Sequence, residues 1–224
     1  MANKTRLISL ILGLTMCLTA VLGIVFASPT STVYAEGGTG TTGGLIIDGT
    51  GDITASDATY AYSATDKTLM LNGYNGGVIR FTAVDDVKVN LGGSTNTITL
   101  SDSAVTENQY GVYAAGNLTV TGKGTLNINM DISGAGDEIT TEYGKALYGL
   151  YAKSLTINGE INVNVNLTSN GFSCGMFATG DITVADKANV DIKCRSKYKN
   201  TDFYFPNKVV YGIYSENGDI KLSG

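Results

Sequence analysis

A run that begins Tyr110-Gly111-Val112-Tyr113-Ala114, passes through Gly116-Asn117-Leu118-Thr119-Val120 and ends at Leu126-Asn127-Ile128-Asn129-Met130 recurs along the chain. One copy is Tyr148-Gly149-Leu150-Tyr151-Ala152 with Leu155-Thr156-Ile157 and Ile161-Asn162-Val163-Asn164-Val165. The next is Cys174-Gly175-Met176-Phe177-Ala178 with Ile182-Thr183-Val184 and Val190-Asp191-Ile192-Lys193. A last copy opens at Tyr211-Gly212-Ile213-Tyr214-Ser215 and stops after Ile220-Lys221-Leu222. Each unit holds three short apolar/polar alternations of period two, divided by Gly, Asn or Asp turns, which is the signature of three short strands rather than a helix. One such unit cannot bury its own apolar face. Copies stacked at about 4.8 Å pair in parallel, each strand on its counterpart, and close a continuous core.

The alternation also assigns faces. Val112, Leu150, Met176 and Ile213 are expected inside, with Leu118, Leu155, Ile182 and Ile220 from the second strand and Leu126, Ile161 and Val190 from the third. Outward ladders follow: Tyr113, Tyr151, Phe177 and Tyr214, which suit either a flat platform for a linear polysaccharide or a stack that steadies the strands, then Thr119, Thr156 and Thr183, then Asn127, Asn162 and Asp191. Glycine suits the corners, where positive φ is needed. With 29 glycines, two prolines and no tryptophan in 224 residues, the chain is turn-rich and too apolar to be disordered. The fold class this predicts is all-β: a right-handed parallel β-helix, or β-solenoid, with three short strands per coil, about four to five coils and an N-terminal β cap, its hand following the general preference of parallel crossovers.

Residues 1–35 read as a signal peptide. Lys4 and Arg6 precede an uncharged apolar run from Leu7 to Ala27, and Val33-Tyr34-Ala35 offers small residues for cleavage before Glu36. An uncleaved span is the alternative for a run of this length. Cleavage removes two positive charges and no negative ones, taking the net charge from -5 to -7 and disfavouring nucleic acid as a partner. Residues 36–44 form a Gly/Thr linker, 45–75 an atypical N-terminal cap, and 76–224 the coils, the last of them incomplete. The open last rung predicts either further coils beyond Gly224 or end-to-end pairing with another molecule.

Thr68-Leu69-Met70-Leu71-Asn72-Gly73-Tyr74-Asn75-Gly76-Gly77, the later Asn96-Thr97-Ile98 and the Tyr-Gly-x-Tyr-Ala-x-x-Asn/Asp-Leu/Ile-Thr units together resemble secreted Firmicute-type carbohydrate-binding β-helix proteins, similar in fold to pectate lyases. The resemblance covers residues 45–224 and lies in repeat positions. It implies non-catalytic polysaccharide binding, sometimes with calcium, in a protein secreted by or displayed on a bacterium, Gram-positive by the same resemblance. It carries over no individual binding residue.

Successive Tyr/Cys-Gly anchors are 38, 26 and 37 residues apart, so two units carry insertions, Asp131 to Leu147 and Arg195 to Val210, at the same corner. They flank the short turn at Thr168 to Ser173, an arrangement expected to make a cleft. The second insertion concentrates Lys193, Arg195, Lys197, Lys199 and Lys208 among Tyr198, Phe203, Tyr204 and Phe205. Cations pair with carboxylates and aromatic faces stack on sugar rings, which suits an acidic glycan; a solvated loop is the bland reading. The first insertion carries Asp137, Glu138 and Glu142 beside Tyr143, part of what a calcium site needs; without any EF-hand spacing, an ordinary charged loop is the favoured alternative. Cys174 and Cys194 are candidates for a disulfide at one corner of neighbouring rungs, with two buried free thiols as the alternative.

With no histidine, Ser-His-Asp and Cys-His chemistry is excluded. The expectation is a secreted, non-catalytic carbohydrate-binding module for an acidic, uronate-type polysaccharide of cell-wall or host/plant origin. Its contact residues would be Tyr143, Arg195, Lys197, Tyr198, Phe203 and Tyr204, with calcium the one cofactor in question and no membrane partner after signal cleavage. A cell-surface scaffold or adhesin segment is the alternative, and a polysaccharide lyase the second.

Overall fold

The computed structural model describes residues 44–101, 107–132, 146–169, 171–196 and 209–223, and among them every regular element is a β-strand, with no helix and no closed barrel. The first stretch is irregular in pairing. Of β1 (Leu45–Ile47), β2 (Ile53–Thr54), β3 (Tyr60–Ser63), β4 (Thr68–Leu71) and β5 (Asn75–Gly76), the middle three form an antiparallel meander. Asp48 and Asp57 tie its turns by accepting hydrogen bonds from the backbone and hydroxyl of Thr50 and Thr59.

Parallel pairing then takes over. β6 (Ile79–Phe81) lies against β1, and β7 (Val87–Ser101) against β4 and β5. The repeat units follow as β8 (Gln109–Ala114) with β9 (Leu118–Asp131); β10 (Leu147–Ala152) with β11 (Leu155–Ile157) and β12 (Glu160–Ser169); and β13 (Ser173–Ala178) with β14 (Ile182–Val184) and β15 (Asn189–Ser196). β16 (Val210–Ser215) and β17 (Ile220–Leu222) come last. The first strands make a six-stranded sheet in the order β1-β6-β8-β10-β13-β16, and the second and third runs belong to one larger sheet. In β7 and β9 those two runs are a single bent strand rather than two separate ones. The bend in β9 falls at Gly122 and Gly124, both at positive φ.

The registers align the expected columns. Ile79, Val112, Leu150, Met176 and Ile213 pair in succession, as do Val87, Leu118, Leu155, Ile182 and Ile220. On the third run the column is Leu126, Val163 and Val190; Ile161 pairs with Gly124 and does not belong to it. The polar ladder shifts likewise to Asn127, Asn164 and Asp191, with Asn162 one step back. Period two decides which face a residue takes, but Ile161 and Val163 share a face, so alternation alone leaves the register open by two residues.

Two polar or small residues have special places in this core. Asn96 is fully buried where later rungs put Leu126, Val163 and Val190. Its Oδ1 accepts from the backbone N–H groups of Gly73 and Tyr74, both at 2.9 Å, so it holds the turn that joins the meander to the parallel stack. The anchor glycines are not at positive φ. A Cβ on Gly149 would stand 2.4 Å from the Gly175 carbonyl oxygen and 2.5 Å from Val165 Cγ1; Gly111 and Gly175 are equally confined. These glycines let the first strand press against the third, and close approach, not turn geometry, is their reason. At the far edge Ile220 and Leu222 are exposed, at 45% and 63%.

Candidate functional site

The corner that carries both insertions is well defined at its base. Chain leaves the third run at one register level, Ser101, Asp131, Thr168 and Arg195, and re-enters the first run at another, Gln109, Leu147, Ser173 and Val210. The departures and returns are thus piled one above another, as strict parallel register requires. Arg195 is exposed at the end of β15. Tyr143, Lys197, Tyr198, Phe203 and Tyr204, and the acidic trio Asp137, Glu138 and Glu142, lie outside the described residues. So does the apolar run from Leu7 to Ala27.

Running back from that corner, the outer face of the third runs is a regular polar surface, wider than the single ladder that alternation predicts. Thr95, Thr125, Asn162 and Asn189 form its first column, and Thr97, Asn127, Asn164 and Asp191 its second. Thr99, Asn129, Asn166 and Lys193 form the third, and Ser101, Asp131, Thr168 and Arg195 the fourth. The asparagines bond along the stack: Asn164 Nδ2 donates to Asn127 Oδ1 at 2.9 Å, Asn166 to Asn129 at 3.0 Å, and Asn189 to Asn162 at 3.3 Å. Each such bond uses one N–H and one lone pair, leaving the other donor and acceptor sites of the amide for solvent or ligand. Charge gathers on the last rung, where Lys193 pairs with Asp191 beside Arg195.

The outer face of the first strands is aromatic. Tyr113, Tyr151, Phe177 and Tyr214 stack in sequence at ring-centroid distances of 5.4, 4.9 and 5.5 Å, with interplanar angles of 19°, 7° and 23°. Tyr110 and Tyr148 make a second stack at 5.2 Å. Cys174 interrupts that one, and Phe172 leans across the gap to Tyr148 and Tyr211. Face-to-face stacking turns the ring faces toward one another and leaves edges and hydroxyls outward. A sugar platform needs exposed faces, so this ladder serves mainly to bind successive rungs together. Burial pushes the Tyr148 hydroxyl up to about 12, helped by neighbouring Tyr110 and Tyr151.

Cys174 and Cys194 are free thiols in the structure. Cys174 Sγ donates to the Met176 carbonyl at 3.2 Å, and the thiols are near enough for Cys194 to raise Cys174. Burial is the larger cause, pushing Cys174 up to about 12 and Cys194 up to about 11, so both are protonated at neutral pH.

Among the described residues, Asp86 and Arg195, a carboxylate and a cation of the kind a hydrolase would need, stand apart. Asp86 immediately precedes β7 and accepts from Asn117 Nδ2 at 2.6 Å, whereas Arg195 is the penultimate residue of β15, three strand steps away and at the other end of the run. At about 4.8 Å per step that is roughly 14 Å along the stack alone. Among the described residues no three His, Cys, Asp or Glu side chains gather as metal ligands. No family model matches the chain, and neither does any curated protein or solved structure.

Proposed function

We propose that the chain is a secreted, non-catalytic carbohydrate-binding module folded as a right-handed parallel β-helix, and that it takes an acidic, uronate-type polysaccharide. The observation that carries this reading is Arg195, exposed at the register where every corner connection departs and adjoining Lys193 at the end of a hydroxyl and amide surface. Guanidinium groups recognise carboxylates through paired hydrogen bonds, and neutral amides and hydroxyls match the rest of a sugar. Tyr143, Lys197, Tyr198, Phe203 and Tyr204 then extend the contact from the two insertions. Asp137, Glu138 and Glu142 are the residues that would hold a calcium ion, which would supply positive charge for an acidic glycan.

Affinity electrophoresis of residues 36–224 through polygalacturonate, xylan and a neutral glucan, with and without chelator, tests the proposal. Retardation by the acidic polymer, weakened by Arg195→Ala and Lys197→Ala, is the expected result. Migration unaffected by any polymer would instead favour a surface scaffold, and growth of absorbance from unsaturated uronate would favour a lyase.

A further inference from the structure

We infer that the glycan lies along the stacking direction on the outer face of β7, β9, β12 and β15, one sugar residue per rung, with the carboxylate of its terminal sugar on Arg195. This rests on the function proposed above and names the surface and the ligand's orientation. The first reason is spacing. Strands in register repeat at about 4.8 Å, close to the advance of one residue in an extended pyranose polymer, so each successive sugar meets its own row of polar groups, threonines on β7 and mainly asparagines on β9 and β12.

The second reason is preorganisation. Asn127, Asn164, Asn129 and Asn166 are locked in pairs by their ladder bonds. Flexible amides would lose rotamer freedom on binding, whereas these have already lost it on folding, so more of each new hydrogen bond appears as affinity. The third reason is contrast with the aromatic face, whose ring planes are turned inward on one another. Charge sets the direction. Across the four rungs Asp131 and Asp191 match Lys193 and Arg195 in number, and Lys193 is paired with Asp191, so Arg195 on β15 is the group offered to a carboxylate and gives the bound chain a preferred end.

Oligogalacturonides of one to eight residues, titrated calorimetrically against residues 36–224, test the inference. Affinity is expected to climb with length up to about four residues and then flatten, because the face has four rungs. Asn129→Leu with Asn166→Leu removes an amide pair together, leaving neither partner orphaned, and is expected to weaken the tetramer about tenfold, the worth of one to two hydrogen bonds. Thr97→Val with Thr99→Val should do likewise, while Thr119→Val with Thr156→Val, on the second run, should not. Thermal melts accompany each pair, and a variant that melts with the parent yet binds weakly supports the inference. Binding that ignores both face pairs while responding to Arg195→Ala overturns this inference and spares the proposed function. Failure of every oligomer to bind overturns both. A dimer in sedimentation that the face substitutions dissolve would mean the surface pairs with a second copy instead.

Discussion

Replacing Gly149 with alanine isolates the contact on which the stack depends. The added methyl would stand 2.4 Å from the Gly175 carbonyl oxygen and 2.5 Å from Val165 Cγ1. One obstacle is backbone of the next strand and cannot rotate away; the other is a fully buried β-branched side chain. To reach an ordinary contact of 3.4 Å, β10 must move about 1 Å away from β12 or β13, which opens the Leu150 column on both sides. Overpacking of this kind costs about 1–3 kcal/mol, and the disturbed parallel pairing places Gly149→Ala at the upper end. In a domain of this size about 3 kcal/mol lowers the melting temperature by roughly 6–12 °C. The repeat supplies its own control. Gly212 occupies the same position in β16, and a Cβ there meets nothing within 4 Å. Without positive φ to forbid it, Gly212→Ala is expected to be neutral or to stabilise by up to about 1 kcal/mol through the unfolded chain. Melts followed by far-ultraviolet circular dichroism distinguish the two. If Gly149→Ala melts within about 2 °C of the parent, or Gly212→Ala falls as far, close approach is not the reason for the anchor glycine.

Tyr151→Ala removes stacking on both Tyr113 and Phe177 and is expected to cost about 1–3 kcal/mol from the two ring pairs, with Tyr151→Phe near neutral, in denaturant titrations. Asn96→Ala orphans the buried N–H of Tyr74, at about 1–3 kcal/mol, and releases the part-buried N–H of Gly73, and proteolysis should then open the chain first between residues 53 and 75. Cys174 and Cys194 hold their protons more tightly folded than unfolded. The stability this contributes is complete below about pH 9 and is lost as pH rises toward 11 and 12, so Cys174→Ala with Cys194→Ala should flatten the alkaline fall in melting temperature. Secreted protein alkylated before and after reduction reports the thiols' state: a mass gain confined to the reduced sample would show that an extracellular oxidant had joined them.

How far the site could be read from residues alone differs by element. The anchor glycines were visible, but their purpose was not, since a corner with positive φ and a close strand-to-strand approach leave the same letter. The aromatic ladder was also visible. Which way its rings turn depends on the neighbouring rung, and that rotation removes the flat faces a sugar would need. By sequence Asn164 and Asn166 are alternating polar positions of one strand; only pairing with Asn127 and Asn129 makes them part of a surface four rungs long. Arg195 was readable as a cation in a basic aromatic stretch, and the structure adds its register with Asp131 and Thr168 but not its neighbours from Lys197 to Tyr204, which lie outside the described residues.

Local alternation therefore determined the strands, their inward and outward faces and the repeat that stacks them, because side-chain direction in a strand is a property of the backbone itself. Register belongs to the tertiary structure. A slip of two residues keeps every face correct, so only the fit of Gly111, Gly149 and Gly175 against the third strands, together with the Asn96 lock at the cap, selects which residues stand side by side.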